Sequence, residues 1–390
     1  RNFDFVEFFT PVSTASRLPA LPSLREIIRI YNLRAQKQLS QNFLLQPSSI
    51  NSLVGCAGSL LDACVLEVGP GPGGLTRAIL RQRPRHLVVV ELDRRFIPLL
   101  EELRLSACEM GVKMDIYRGD ILKVNTGDIF SVTSIHQSET WGSAVNNVIS
   151  KLNGVSTAVV EAGMERPPRV RIIGNLPFST STALLISWLD NIANHRQIWR
   201  LGRVPMTLTF QKEVCERLVA DVWDEQRSRL SVMAQAFCEV QFLKVIPGSA
   251  FVPQPKVDAG VVRLIPLSQP LISAPFPYVE KLVRHAFQFR QKLIVRCLES
   301  LFPPERPDLV IRLFKEAAVQ PMKRPIQLSN LEFRDLCEVY ARICASNEGV
   351  FGYEFRKPEN LPHWHSRKDT QRRILGSAIT AEVVRKEMYS

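Results

Sequence analysis

The stretch "ACVLEVGPGPGGLTRAILRQ", residues 63–82, decides the fold. An apolar, β-rich run ends at Val68, four glycines follow within six residues, and an amphipathic pattern opens at Leu75. A strand entering a glycine turn and then a helix is the first half of a βα unit. Glycine permits positive φ and lets a ligand approach the backbone, and the helix start behind the turn is polarised positive. Gly69, Gly71 and Gly74 satisfy the G-x-G-x-x-G spacing, and Glu91 lies 20 residues beyond Gly71. At this point the motif reads as a nucleotide-like cofactor site, with a nicotinamide dinucleotide still among the candidates.

The alternation continues outward. "HLVVVELD" reads as a second strand, "RFIPLLEELRLSA" as a second helix and "VKMDIYRGD" as a third strand ending on acid. Strands resume at "RVRIIGN", "VPMTLTFQ", "CEVQFLKVI" and "GVVRLIPL". The expected fold class is α/β, a Rossmann-like, mostly parallel sheet with helices on both faces. Past the prolines of 270–277 the pattern turns helical to about Cys344, a smaller all-helical C-terminal unit. The expected organisation is an N-terminal extension over 1–23, a sheet-bearing domain over 24–268, a helical domain over 277–344 and a polar, partly disordered tail over 345–390. Residues 24–38 read as a basic amphipathic helix. Residues 125–168, rich in Ser, Thr, Asn and Gly, read as an inserted surface loop with one helix near 144–152.

Composition narrows the partners. The 50 Lys+Arg against 38 Asp+Glu give a formal charge of +12, which favours polyanions such as nucleic acid. No apolar run reaches the ~18 residues that span a bilayer. The eight cysteines form no C-x-x-C pair, so reduced thiols are expected, and neither a zinc site nor a disulfide framework. His363 and His365 form an isolated H-x-H without partner ligands, and no metal is expected. The first residues contain Asp4 and Glu7 and only two arginines, unlike an acid-poor, Arg-rich transit peptide.

Two acids and one turn carry the chemistry. Glu91 and Asp120 close consecutive strands, so both carboxylates are expected in the crevice at the strand ends. The first suits the hydroxyls of a ribose and the second the exocyclic amine of an adenine. Asp93 is the alternative sugar acid. "IIGNLPFSTSTALL", residues 172–185, ends a further strand on Asn175, Leu176, Pro177 and Phe178. Pro177 biases Leu176 toward an extended conformation, which sets the Leu176 carbonyl beside the Asn175 side-chain oxygen. Two acceptors next to the Phe178 ring describe a receptor for an aromatic amine such as the N6 of an extruded adenine. The alternative is that Asn175 caps the following helix.

With "KQLSQNFLL", "EVGPGPGGLT", "VVVELD", "GDIL", "IIGNLPF", "FQKEVCERL", "FVPQPKVDAGVV" and "FQFRQKL" in order, the chain resembles the ribosomal RNA adenine dimethyltransferase family, most closely its mitochondrial branch, over about residues 18–344. The resemblance implies S-adenosylmethionine as cofactor. Gln41, Asn42 and Leu44 would lie near its amino-acid end, Gly69 and Gly71 along its methionine part, Glu91 at its ribose and Asp120 at its adenine, with Leu92, Ile121 and Asn175 alongside. Phe178 would stack on the target base, and Phe251 would flank it or pack in the core.

The implied reaction is N6,N6-dimethylation of two adjacent adenines in the 3′-terminal hairpin loop of small-subunit ribosomal RNA, in the mitochondrial matrix, by a monomer that serves small-subunit assembly. The mitochondrial transcription machinery is a second implied partner, and a non-catalytic assembly or transcription factor on the same fold is the alternative. Two departures stand out. Phe178 replaces the tyrosine of many bacterial relatives, and the 125–168 segment is longer than expected. Over 281–345 there are 12 Lys+Arg and 7 Asp+Glu. Arg284, Gln288, Lys292 and Arg296 recur every four residues, which on one helix would form a basic stripe for RNA phosphates.

Overall fold

The structure is a computed structural model; it describes residues 42–130 and 170–355, together with Leu18, Glu26 and Lys386. The expected helix over 24–38 lies outside this set apart from Glu26, which is helical. The helix near 144–152, the H-x-H pair and nearly all of the tail after 355 also lie outside it.

Seven strands form the central sheet in the order β4-β3-β2-β5-β6-β9-β7. They are β2 (Cys64–Val68), β3 (His86–Glu91), β4 (Lys113–Arg118), β5 (Val170–Gly174), β6 (Met206–Gln211), β7 (Cys238–Ile246) and β9 (Ala259–Pro266). The first five pair in parallel, and β9 and β7 add an antiparallel edge. A short outlying pair joins β1 (Phe43–Leu44) to β8 (Phe251–Val252). The chain steps from β2 outward to β3 and β4, then returns across β2 to β5 and β6. The strand order therefore reverses between β2 and β5, the place where open α/β sheets bind ligands.

Both faces of the sheet are covered, which is why its central strands read as continuous apolar runs. On one side Val65, Leu87, Val89 and Ile173 pack with α1 (Pro47–Cys56), α2 (Gly74–Arg81) and α3 (Ile97–Glu109). On the other, Leu66, Val88, Ile172 and Leu208 pack with α4 (Ser181–Ala193) and α6 (Arg229–Phe237). That second core runs on without a break into the C-terminal helices α7 (Phe276–Gln288), α8 (Ile294–Leu298), α9 (Pro307–Ala317) and α10 (Asn330–Ser346). Between β6 and α6, α5 (Lys212–Val219) packs beside β7. Arg227, fully buried, ties the α5–α6 connection to the helical region by donating to the Leu328 carbonyl at 3.0 Å and to Asn330 Oδ1 at 2.8 Å.

Helix α10 ends at Ser346, and the residues just after it pack back on the core. Val350 is buried in the core, and the Lys281 ammonium holds the carbonyls of Phe351 and Tyr353, the latter at 2.8 Å. The residues after α10 thus return over α7.

Gly260 lies in β9, between β6 and β7. A Cβ there would sit 2.5 Å from Cys215 Sγ and 2.7 Å from the Phe242 ring. Gly260→Ala is expected to destabilise the protein by about 1–3 kcal/mol through overpacking. A urea midpoint equal to that of the wild type would show that this contact yields freely.

Candidate functional site

A cavity of about 240 Å³ opens at the C-terminal ends of β2, β3, β4 and β5. Its position follows from the register. Val68 pairs with Gly174 and Val90 with Val68, so Gly69, Glu91 and Asn175 leave the sheet side by side. Asn42, Gly69, Gly71, Glu91, Leu92, Asp120, Ile121, Asn175, Leu176 and Pro177, all singled out from the sequence, line it.

The glycine turn is built for close approach. Gly71 has φ of 53°, and a Cβ added there would meet the Phe43 ring at 3.1 Å. Gly73 has φ of 81°, and the turn is braced from behind by Arg77, whose buried guanidinium donates to the carbonyls of Pro72 and Gly73 at 2.9 Å. Glu91 is buried and accepts from the Gly71 N–H at 2.9 Å and the Asp93 N–H at 2.7 Å, one on each carboxylate oxygen. Burial pushes its pKa up, and those N–H donors oppose the rise. Each oxygen keeps a further lone pair for a ligand hydroxyl. Asp93 does not compete for this role. Its carboxylate caps the short turn over Arg94–Phe96 and pairs with Arg95. Asp120 stands just past the end of β4 and accepts from the Leu122 N–H at 3.0 Å.

Asn175 does not cap the next helix. That helix starts at Ser181, with Thr180 as its N-cap residue. Instead the Asn175 amide is held from both ends. Its Nδ2 donates to the Asn42 carbonyl at 3.0 Å, and its Oδ1 accepts from the Thr209 hydroxyl at 2.7 Å.

Three of the features singled out from the sequence lie away from the cavity lining. Leu44 does not reach the cavity. Side chains alternate along β1, so Leu44 is buried in the core while Phe43 turns toward the cavity above Gly71. Phe251 is also core, 1% exposed, and its ring stands 6.4 Å from that of half-buried Phe178, which it backs. The basic stripe does not form, because α7 ends at Gln288 and a turn through Phe289–Leu293 resets the phase. Arg284 and Lys292 are exposed, whereas Arg296 is largely covered and pairs with Glu299 at 3.1 Å. Arg284 and Gln288 instead line a separate cavity of about 370 Å³ with Arg229, Phe287 and Phe355. Gln41 lies outside the described residues.

Sequence reasoning missed Phe43, Thr209 and Glu67. The period of two was the signal for Phe43. The signal for Thr209 was a polar residue inside an apolar strand. Glu67 sits on β2 with its side chain directed, like that of Val65, into the α2–α3 side of the core, and it is fully buried. Neither carboxylate oxygen has a hydrogen-bond partner of good geometry among the described residues. Burial pushes its pKa up to about 8, the nearby Thr76 hydroxyl tempering the rise and Glu91 adding to it.

The ribosomal RNA adenine dimethylase family model matches residues 32–333. The chain belongs to that family. As a ribosomal RNA adenine dimethylase it is 47% identical over 342 residues to dimethyladenosine transferase 1, mitochondrial, of Macaca fascicularis, covering 87% of this chain and 91% of that protein. The Homo sapiens protein of the same name is 46% identical over the same shares. That of Drosophila melanogaster is 41% identical over 90% of this chain and 97% of its own. The fold agrees with a crystal structure of a dimethyladenosine transferase from Plasmodium falciparum, with a TM-score of 0.53 and 21% identity over 75% of this chain and 95% of that one.

A dimethylase of this family takes its methyl groups from S-adenosylmethionine. The residues present fit that group: a glycine cradle too tight for a Cβ at Gly71, an acid with free lone pairs at Glu91, and a second acid on the next strand. Among the described residues no cluster of three metal-ligating side chains occurs, and no helix is long and apolar enough to cross a membrane.

Glu67 gives a pH test. A carboxyl whose pKa is raised on folding contributes most below its ordinary value and loses that contribution as pH climbs through about 8. Glu67→Gln keeps the shape and removes the titration. The stability difference, variant minus wild type, should therefore grow between about pH 4.5 and 8, by up to about 1.4 kcal/mol per pH unit. Urea unfolding across that range reads it, and a difference independent of pH would mean that Glu67 is ionised in the native protein.

Proposed function

We propose that this dimethylase modifies N6 of two adjacent adenines in the 3′-terminal hairpin loop of small-subunit ribosomal RNA, within the mitochondrial matrix and during small-subunit assembly. The observation that carries the chemistry is the Asn175 amide, fixed at the end of β5 on the wall of the cavity that holds Glu91 and Asp120. The mitochondrial names of relatives at 41–47% identity support the compartment.

An adenine N6 is a poor nucleophile because its lone pair is delocalised into the ring. Asn175 Oδ1 and the Leu176 carbonyl would accept from its N–H groups, which favours the pyramidal nitrogen and the positive charge that develops on it. Phe178, backed by Phe251, would hold the extruded base by stacking. When bound, S-adenosylmethionine supplies an electrophilic methyl on a sulfonium sulfur. Glu91 and Asp120 would hold the sugar and the base of that cofactor in the same cavity whose wall carries Asn175, the group that would orient N6. N6 would be the acceptor of that methyl, and the proton it gives up would pass to water. Both lining carboxylates are occupied with binding, and an amine that becomes strongly acidic on methylation needs no strong base.

The helical region over 277–344 is the proposed RNA-holding unit, with Arg284 and Lys292 as its phosphate contacts and Arg296 as a structural partner of Glu299.

Two experiments test this reading. Undermethylated small ribosomal subunits incubated with labelled S-adenosylmethionine should yield N6,N6-dimethyladenosine with the wild type, and at least about 100-fold less with Asn175→Ala. Cofactor binding without transfer to any RNA would instead favour a non-catalytic assembly role. Neutralising Arg284 and Lys292 together should lower the slope of log K against log salt by roughly 2. Arg296→Gln should cost stability and leave the slope alone. An unchanged slope in the double variant would remove this region from the RNA interface.

A further inference from the structure

Thr209 is a polar residue in the apolar strand β6, fully buried and outside the lining of the cavity. A buried hydroxyl is costly unless it is hydrogen-bonded. Its partner is Asn175 Oδ1, at 2.7 Å. The pairing is set by backbone register. Gly174 of β5 faces Leu208 of β6, and Asn175 and Thr209 are the next residues along each strand.

The two bonds to Asn175 are not equivalent. The Asn42 carbonyl only accepts, so the group 3.0 Å from it must be the amide NH₂. This places Oδ1 toward Thr209 and makes the hydroxyl the donor. A carbonyl at one end and a donor hydroxyl at the other disfavour a flipped amide, which would set NH₂ against the Thr209 hydroxyl and Oδ1 against the Asn42 carbonyl. Thr209 uses one lone pair of Oδ1 and leaves the other.

We propose that Thr209 is a positioning residue for methyl transfer: it fixes the Asn175 amide with a single Oδ1 lone pair aimed at the target amine, and so sustains the second methylation of each adenine. The inference rests on the reading of Asn175 as the acceptor for N6. Adenine brings two N–H groups to the first transfer, and either can find an acceptor. The monomethylated base brings one N–H and a bulkier nitrogen. A mobile acceptor is therefore tolerated in the first transfer and penalised in the second. Thr209 touches neither reacting atom and acts only through Asn175.

The test is a single-turnover and steady-state comparison of the wild type, Thr209→Val, Thr209→Ser and Asn175→Ala, with N6-methyladenosine and N6,N6-dimethyladenosine quantified separately. Loss of one neutral hydrogen bond should slow the second transfer in Thr209→Val roughly tenfold, with the first transfer slowed only a few-fold. The monomethyl product should accumulate, while KM for RNA and affinity for S-adenosylmethionine stay within about twofold. Thr209→Ser, which keeps the donor, should restore the wild-type product ratio. If Thr209→Val does not fold, Thr209→Ala carries the same expectation, since it removes the hydroxyl without setting a methyl against the amide. An inactive Asn175→Ala beside a hydroxyl-free Thr209 variant with the wild-type product ratio would overturn the role of Thr209 alone. An equal slowing of both transfers would reduce Thr209 to packing. An active Asn175→Ala would overturn the reading of Asn175 and, with it, the role of Thr209.

Discussion

The parallel pairing of β2 with β5 is the constraint on which the rest of the site depends. It places Val68 opposite Gly174, and from that one register the glycine turn and the Asn175 turn emerge as neighbours although about 100 residues separate them. A slip by one residue would reverse the facing of each side chain and send Asn175 into the core. The strand order reverses at this same pair, which is where open α/β sheets leave a crevice. Backbone geometry makes the crevice, and side chains equip it.

The equipment is held largely by main-chain groups. Glu91 is oriented by two backbone N–H donors, the glycine turn by a buried arginine acting on two carbonyls, and Asn175 by the Asn42 carbonyl. Such contacts survive many changes of surface sequence, because they need strand and turn geometry rather than particular neighbours. They also put charge where it is expensive. Glu67 and Glu91 lie on the same face of the sheet and both are disfavoured as anions by burial. Glu91 keeps its place through N–H donors, whereas at Glu67 burial dominates and raises the pKa.

Much of this was legible in the sequence. The βα alternation, the glycine spacing and two acids after two apolar runs were enough to expect an adenosine-shaped ligand at the strand ends, and those residues do come together. What failed was local phase. Leu44 and Phe43 differ only in which way a two-residue strand presents them, and that is set by pairing with Phe251, far away in sequence. The spacing of Arg284, Gln288, Lys292 and Arg296 has a helical period, yet "FRQKL" turns, with Ile294 bonded through its N–H to the Lys323 carbonyl. Tertiary contacts override periodicity there. Thr209 showed only as a polar residue in an apolar strand, because its role depends on what the adjacent strand brings alongside.

Strand β5 also has a consequence for where the Asn175 turn stands. Val170 is the first residue of β5, and Asn175 follows its last. Five residues of extended chain, about 16 Å, therefore separate the point where the long connection joins the sheet from the amide at the cavity. Proximity in sequence is misleading here. What fixes the Asn175 turn is the strand itself, a rigid spacer whose pairing with β2 sets where the turn emerges.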